Sequence, residues 1–376
     1  MALTKHMLGE FIELREVKNE DMEYGVDDVR GVNNLKFLIQ TKADLTGRDL
    51  TKFQIVYPDE FVFNHRTSRN GSKFSIAYND TEKPIICTED YVVFRIKPEC
   101  KECISARWLY MFFNRPEFDR YVITNSWGSS TEFYNWEDIC EVEIILPDYR
   151  VQLKYVDIYN AMVANQQSYQ CGLEDLKNAV FAEIEKIKHT AKRVPVGNIL
   201  REVDIRNSDG VIDDIQGINI SKMFMTSVAD TTSVNKKNYK IVRKGQFAYS
   251  SMQTGRDECI RIALYDKHEP IIISPAYAVL EMKDENAVAE YIMLWFMRSE
   301  TDRYGWFASD SSIRANLDLE RFYEIELPMP NKELQQSIAK MYIAYVARRD
   351  INEQLKAQIK DLCPILIKGS IEEATA

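Results

Sequence analysis

Five polar stretches of this 376-residue chain carry side chains that could engage a ligand. Asn64-His65-Arg66-Thr67-Ser68-Arg69-Asn70-Gly71-Ser72-Lys73 lies between two apolar segments and holds two arginines and a lysine without an acid. Arginine forks match guanine edges and phosphates, and Asn or Gln matches adenine. In the same slot 186 residues later stands Ser250-Ser251-Met252-Gln253-Thr254-Gly255-Arg256, with a different polar set. The second kind of stretch, Ser126-Trp127-Gly128-Ser129-Ser130-Thr131 running to Asn135, is matched by Ser309-Asp310-Ser311-Ser312-Ile313-Arg314 running to Asn316. Hydroxyls and backbone N–H groups of such loops hold phosphates. Lys236, Lys237, Lys240, Arg243 and Lys244 form a basic run without an intervening acid. The bland readings are a solvated hairpin turn for the first kind and an ordinary helix-to-strand connection for the second.

The candidate nucleic-acid contacts are therefore Arg66, Ser68, Arg69, Asn70, Lys73, Ser129 and Asn135 in the first half. Lys236, Lys237, Gln253, Thr254, Arg256, Ser312, Arg314 and Asn316 are those of the second. If the loops read DNA, Arg69 and Arg256 belong on the open side of their domains. A net charge of −10 requires basic residues to be concentrated locally, and the Lys236–Lys244 run is where the sequence concentrates them. No glycine-rich phosphate loop, Gly-x-Ser-x-Gly, His-Glu-x-x-His or Asn-Pro-Pro-aromatic tetrapeptide occurs, and the histidines at 6, 65, 189 and 268 form no cluster. Catalysis within the chain is not expected. Seven scattered cysteines argue against a disulfide framework, and the Cys100/Cys103 pair lacks the second pair that a zinc site needs. The N-terminus has no apolar signal core and no run approaches a membrane span, so a cytoplasmic protein is expected.

The elements that must position these loops repeat. Leu8-Gly9 recurs as Val196-Gly197, Asp27 to Asn33 as Asp213 to Asn219, Asp119-Arg120-Tyr121 as Asp302-Arg303-Tyr304, and Glu143 to Pro147 as Glu324 to Pro328. The offset drifts only from 188 to 181. Short β-branched and aromatic runs predict strands near 54–57, 60–63, 84–87 and 91–96, with counterparts near 240–242, 246–249, 271–274 and 277–282. Helices are predicted over 106–114 and 288–298, their aromatic stripes serving as core. From Asn331 to Leu362, Leu334, Ile338, Met341, Tyr345, Arg348, Asn352, Leu355, Ile359 and Leu362 keep an unbroken 4-3 spacing, a heptad seam. Its partner is the stretch 148–187, with Val151, Tyr155, Ile158, Met162, Asn165, Tyr169, Leu176, Val180, Ile184 and Ile187. Asn165, Arg348 and Asn352 could fix helix register, face a partner subunit or face solvent. The fold class is α+β: two pseudo-repeated mixed domains, 1–147 and 191–330, joined by two long antiparallel helices, 148–190 and 331–376, forming a coiled coil.

The two-copy layout, the small-residue loops ending in Asn135 or Asn316, and the junction Ile325-Glu326-Leu327-Pro328-Met329-Pro330 followed by Glu333, Gln336 and Ile338 resemble the DNA-specificity subunit of type I restriction–modification systems. Copy one departs from the junction: Ile145-Leu146-Pro147-Asp148-Tyr149 lacks the second proline and keeps only Gln152. The resemblance implies two target recognition domains, each reading half of a split site on double-stranded DNA, and a helical spacer that sets the unread gap. It implies no cofactor in this chain, with S-adenosylmethionine and ATP used by two methyltransferase subunits and nuclease/translocase subunits. The competing reading is a coiled-coil protein-interaction scaffold without DNA binding, which the acidic balance favours.

Overall fold

The computed structural model describes residues 5–41, 43–66, 73–128, 132–227, 234–252, 254–310 and 315–375, with the side chains of 255, 256 and 375 outside the description. The chain divides into two compact units, Met1–Ser168 with Asn352–Ala376, and Tyr169–Ile351. Each unit thus holds one sheet-bearing head together with half of each long helix, a division that cuts across the head-and-rod boundaries of the sequence.

In the first unit, Ile12–Arg15, Tyr91–Ile96, Phe61–Asn64 and Ile76–Tyr78 form an antiparallel four-stranded sheet in that order. Phe61, Val62 and Phe63 are all fully buried, so this sheet is covered on both faces. Phe61, Phe63 and Phe94 face the helix Ala106–Phe113 in the main core, which also includes Trp108, Leu109 and Phe113. Val62, Ala77 and Val93, one residue out of phase, pack instead on Val56, Ile85 and Cys87 of the pair Gln54–Val56 and Ile85–Cys87. Period-two alternation distributes one strand's side chains between two cores.

The second unit is built the same way. Leu200–Val203, Ala278–Met282, Phe247–Ser250 and Arg261–Leu264 form its first sheet. Phe247, Tyr249 and Leu280 face the helix Ala289–Phe296, while Ala248, Ala263 and Val279 face the strands Lys240–Val242 and Ile271–Ile273. Close approaches recur too. A Cβ on Gly9 would stand 2.8 Å from the Cys140 Cβ, and one on Gly197 would stand 2.9 Å from the Tyr323 Cβ. Only glycine allows either chain to pass there, which is why both copies keep it.

The long helices span Tyr149–Lys188 and Lys332–Thr375. Within the first unit they run antiparallel: Lys154 and Tyr155 meet Glu373, and the Gln166 amide donates to Asn352 Oδ1 at 2.8 Å. Within the second, Val180, Ile184, Ile338 and Tyr342 share the head's core, and the Arg348 guanidinium lies 5.0 Å from the Tyr169 ring centroid. In the first half of the first helix the expected seam is out by one residue. Ile158 is 43% exposed and Asn165 is exposed, whereas Gln152, Val156 and Tyr159 are buried. The residue that reaches Asn352 is Gln166, one position on from the exposed Asn165. Leu334 is exposed as well, and Leu355 is half-buried. The reason is that these helices pack on each other and on a head at once, which widens and rotates the buried face relative to a two-helix seam.

Candidate nucleic-acid interface

The loop after Phe61–Asn64 and the loop after the helix Pro116–Thr124 meet at one strand-like residue, Phe133. It forms isolated bridges to both Arg66 and Trp127, and its ring lies 5.4 Å from that of His65. Trp127 and Phe133 exchange backbone hydrogen bonds of 3.0 and 2.9 Å, and the Tyr134 N–H donates to His65 O at 2.9 Å. In the second unit the Asp310 N–H donates to Asn316 O at 2.8 Å, and the Leu317 N–H donates to Ser251 O at 2.9 Å. The same two closures thus occur at offsets of 183 and 186, tying each pair of candidate loops together at its base.

Several expected contacts can be placed. The Arg66 guanidinium is half-exposed and lies 3.3 Å from Asp90, so an acid from the neighbouring strand joins a loop that has none of its own. Burial, with the nearby Arg66 charge adding to it, holds the His65 imidazole below its ordinary pKa. Lys73 is half-buried. Asn135 is exposed and caps the helix Trp136–Cys140, its backbone N–H donating to Asp138 at 2.6 Å. Asn316 is half-buried and donates through its backbone to Asp310 at 2.9 Å. These two asparagines are not equivalent: the capping position of Asn135 is occupied in the second unit by Asp318, and Asn316 stands where Phe133 does.

Thr254 is fully buried and its hydroxyl has no hydrogen-bond partner among the described residues, so it is not offered to a duplex here. Ser68, Arg69, Asn70, Ser129, Gln253, Ser312 and Arg314 lie outside the described residues. Arg256 lies on the short helix Thr254–Asp257, and its side chain is outside the description. The expected siting of Arg69 and Arg256 falls there too. The basic run is less free than its sequence implies. Lys240 is buried against Glu202 at 3.1 Å and Lys236 pairs with Asp213 at 2.6 Å, while Lys237 and Arg243 are exposed. Acids distant in sequence neutralise part of the local positive charge.

Trp127 was not among the expected contacts, yet it is 72% exposed at the base of its loop, beside Gly128 at φ 151°. A large aromatic set among serines and a glycine was the available signal.

The junction into each long helix is held by a buried glutamine. Gln152 accepts the Ser105 N–H at 2.9 Å and donates to Cys103 O and Pro147 O, both at 2.8 Å. Gln335 accepts the Val288 N–H at 3.0 Å and donates to Pro330 O at 2.8 Å and Asn286 O at 3.4 Å. The glutamine of the motif is thus Gln335, and Gln336 is exposed. Pro147 corresponds to the second proline, Pro330, so it is the first that copy one lacks.

These features define a class: an α+β protein of two like-built units, each presenting a tied pair of polar loops and contributing to two long helices. Residues 210–361 match the family model of the type I restriction modification DNA specificity domain. Over nearly its full length the chain resembles in fold the type I restriction–modification S subunit from M. genitalium, with a TM-score of 0.56, 12% identity, and 98% of this chain and 96% of that one covered. The HsdS subunit from Thermoanaerobacter tengcongensis gives a TM-score of 0.37 at 12% identity, covering 98% and 96%. A chain from work on complex assembly and conformational transition of the type I R-M system gives 0.46 at 13%, covering 98% and 97%. No curated protein matches the chain. Among the described residues no helix is long and apolar enough to cross a membrane.

Proposed function

We propose that this chain is the non-catalytic DNA-reading subunit of a type I restriction–modification complex. Each head reads one half of an asymmetric split site, and the long helices set the unread gap and dock two methyltransferase subunits that carry S-adenosylmethionine. ATP-driven nuclease/translocase subunits complete the assembly. The observation that carries this reading is the tied loop pair, closed by two matching backbone hydrogen bonds in each unit while bearing different side chains. A constant frame with variable polar tips suits two unlike half-sites. Exposed Trp127 adds a flat apolar surface that could wedge or stack at the duplex.

The test is selection from random duplex pools, with the protein alone and with copurified methyltransferase, at two salt concentrations. A split motif with unlike halves and a fixed gap, weakening steeply as salt rises, is the expected result. No motif in either arm, and no binding at low salt, would return the chain to the scaffold reading.

A further inference from the structure

Each unit contains, at a matching position, a lysine with a buried side chain that the proposed reading does not use. Lys36 and Lys222 occupy matching turns, at φ 68° and 59°, a left-handed conformation that lysine seldom adopts. Both side chains are almost wholly buried. Lys36 Nζ lies 2.7 Å from Asp119 Oδ1, and Lys222 Nζ lies 2.6 Å from Asp302 Oδ1. Each also donates to the carbonyl of a helix's last residue, Phe113 or Phe296. Cationic donors suit that end of a helix, where carbonyls lack partners. Burial lowers both lysine pKa values, and the adjacent aspartate opposes that shift.

The aspartates connect this pair to the candidate interface. Asp119 Oδ1 accepts the Phe74 N–H at 3.0 Å, immediately after the first loop, and Asp302 Oδ1 accepts the Ile260 N–H at 2.9 Å, just after the second. One buried ion pair per unit therefore joins a strained turn, a helix end and the exit of a candidate reading loop. The entrance of that loop is held separately by the His65 or Ser251 carbonyl.

We propose that Lys36–Asp119 and Lys222–Asp302 are positioning pairs that fix the exit of each reading loop, so that each governs recognition of its own half-site only. This rests on the DNA-reading function proposed above. A pair serving only the core would be needed for stability but would leave base discrimination unchanged. A pair that aims a loop alters discrimination in one half.

The test uses the full-length protein copurified with its methyltransferase. Asp119→Asn and Asp302→Asn each keep an oxygen for the backbone N–H while removing the charge that faces the lysine. The double change Lys36→Met with Asp119→Asn leaves neither charge stranded and serves if the single variant does not fold. Hydrogen exchange is followed over 73–78 and 260–264, and binding is measured on duplexes mismatched in one half or the other.

D119N is expected to speed exchange over 73–78 and to abolish the roughly tenfold penalty for a mismatch in one half-site, leaving the other half unchanged. D302N is expected to do the same for the opposite half. Unchanged exchange in these segments overturns the inference whether or not DNA binds. So does faster exchange with both half-site penalties intact, or an equal loss in both halves. A wild-type complex without any half-site discrimination overturns the proposed function and this inference with it, a result distinguishable because it precedes any variant.

Discussion

At the scale of single residues, Gln152 and Gln335 show how a polar side chain comes to be buried at low cost. Each saturates its amide with one backbone N–H and two carbonyls at the start of a long helix. Gln335→Ala strands the Val288 N–H and two carbonyls and is expected to cost about 2–3 kcal/mol. Gln336→Ala, one residue on, should stay within about 0.5 kcal/mol. Denaturant midpoints of the two variants separate the outcomes, and equal effects would contradict the assignment of the motif glutamine. Trp127→Ala should also leave stability within about 0.5 kcal/mol, because the ring is largely in solvent. If the ring touches DNA, the same change should lower affinity about tenfold or more, since aromatic stacking on a base contributes about 1–3 kcal/mol. Thermal melts and binding isotherms on one protein preparation check both statements.

At the scale of elements, the long helices deserve separate treatment from an isolated coiled coil. In the first unit their buried positions include Val156, Tyr159, Leu366 and Ile367, which belong to the head's own core. Tyr159→Ala is expected to cost about 3 kcal/mol through loss of packed ring and a residual cavity. Ile158→Ala, at a position the heptad spacing favoured, should be nearly silent because that side chain is 43% exposed. Urea melts of the two variants would expose a misplaced seam if Ile158→Ala proved the more damaging. Leu355→Asp, at a half-buried position, should fall between them at about 1–2 kcal/mol. The Gln166–Asn352 hydrogen bond, made to a buried asparagine by a half-buried glutamine, favours one register, since sliding either helix would break it.

For the whole molecule, the unit boundaries fall at Ser168/Tyr169 and Ile351/Asn352, inside the two long helices. A seven-residue insertion at both points keeps the face of each helix and leaves each unit's own contacts intact. Helical rise adds about 10 Å, close to three base pairs of B-form DNA at about 3.4 Å each. If the helices set the unread gap, the selected motif should keep both halves and lengthen its gap by about three base pairs. A motif that vanishes while melting is unchanged would argue that the helices do more than space the heads.

The sequence alone determined the two α+β heads and the two long helices. Those follow from local properties: residue identity at a nearly constant offset, strand and helix periodicity, and turn composition. Tertiary structure decided what local pattern cannot carry. The helix face shifted because a head competes with the other helix for it. Lys236 and Lys240 lost their freedom to acids distant in sequence. Asn135 and Asn316 parted because, at the constant offset of 183 that the loop closures keep, Asn316 matches Phe133 and Asn135 matches Asp318. The pairs Lys36–Asp119 and Lys222–Asp302 join residues about 80 positions apart. The sequence shows their aspartates only as a repeated tripeptide, and the burial that makes the ion pair matter exists only once the chain has folded.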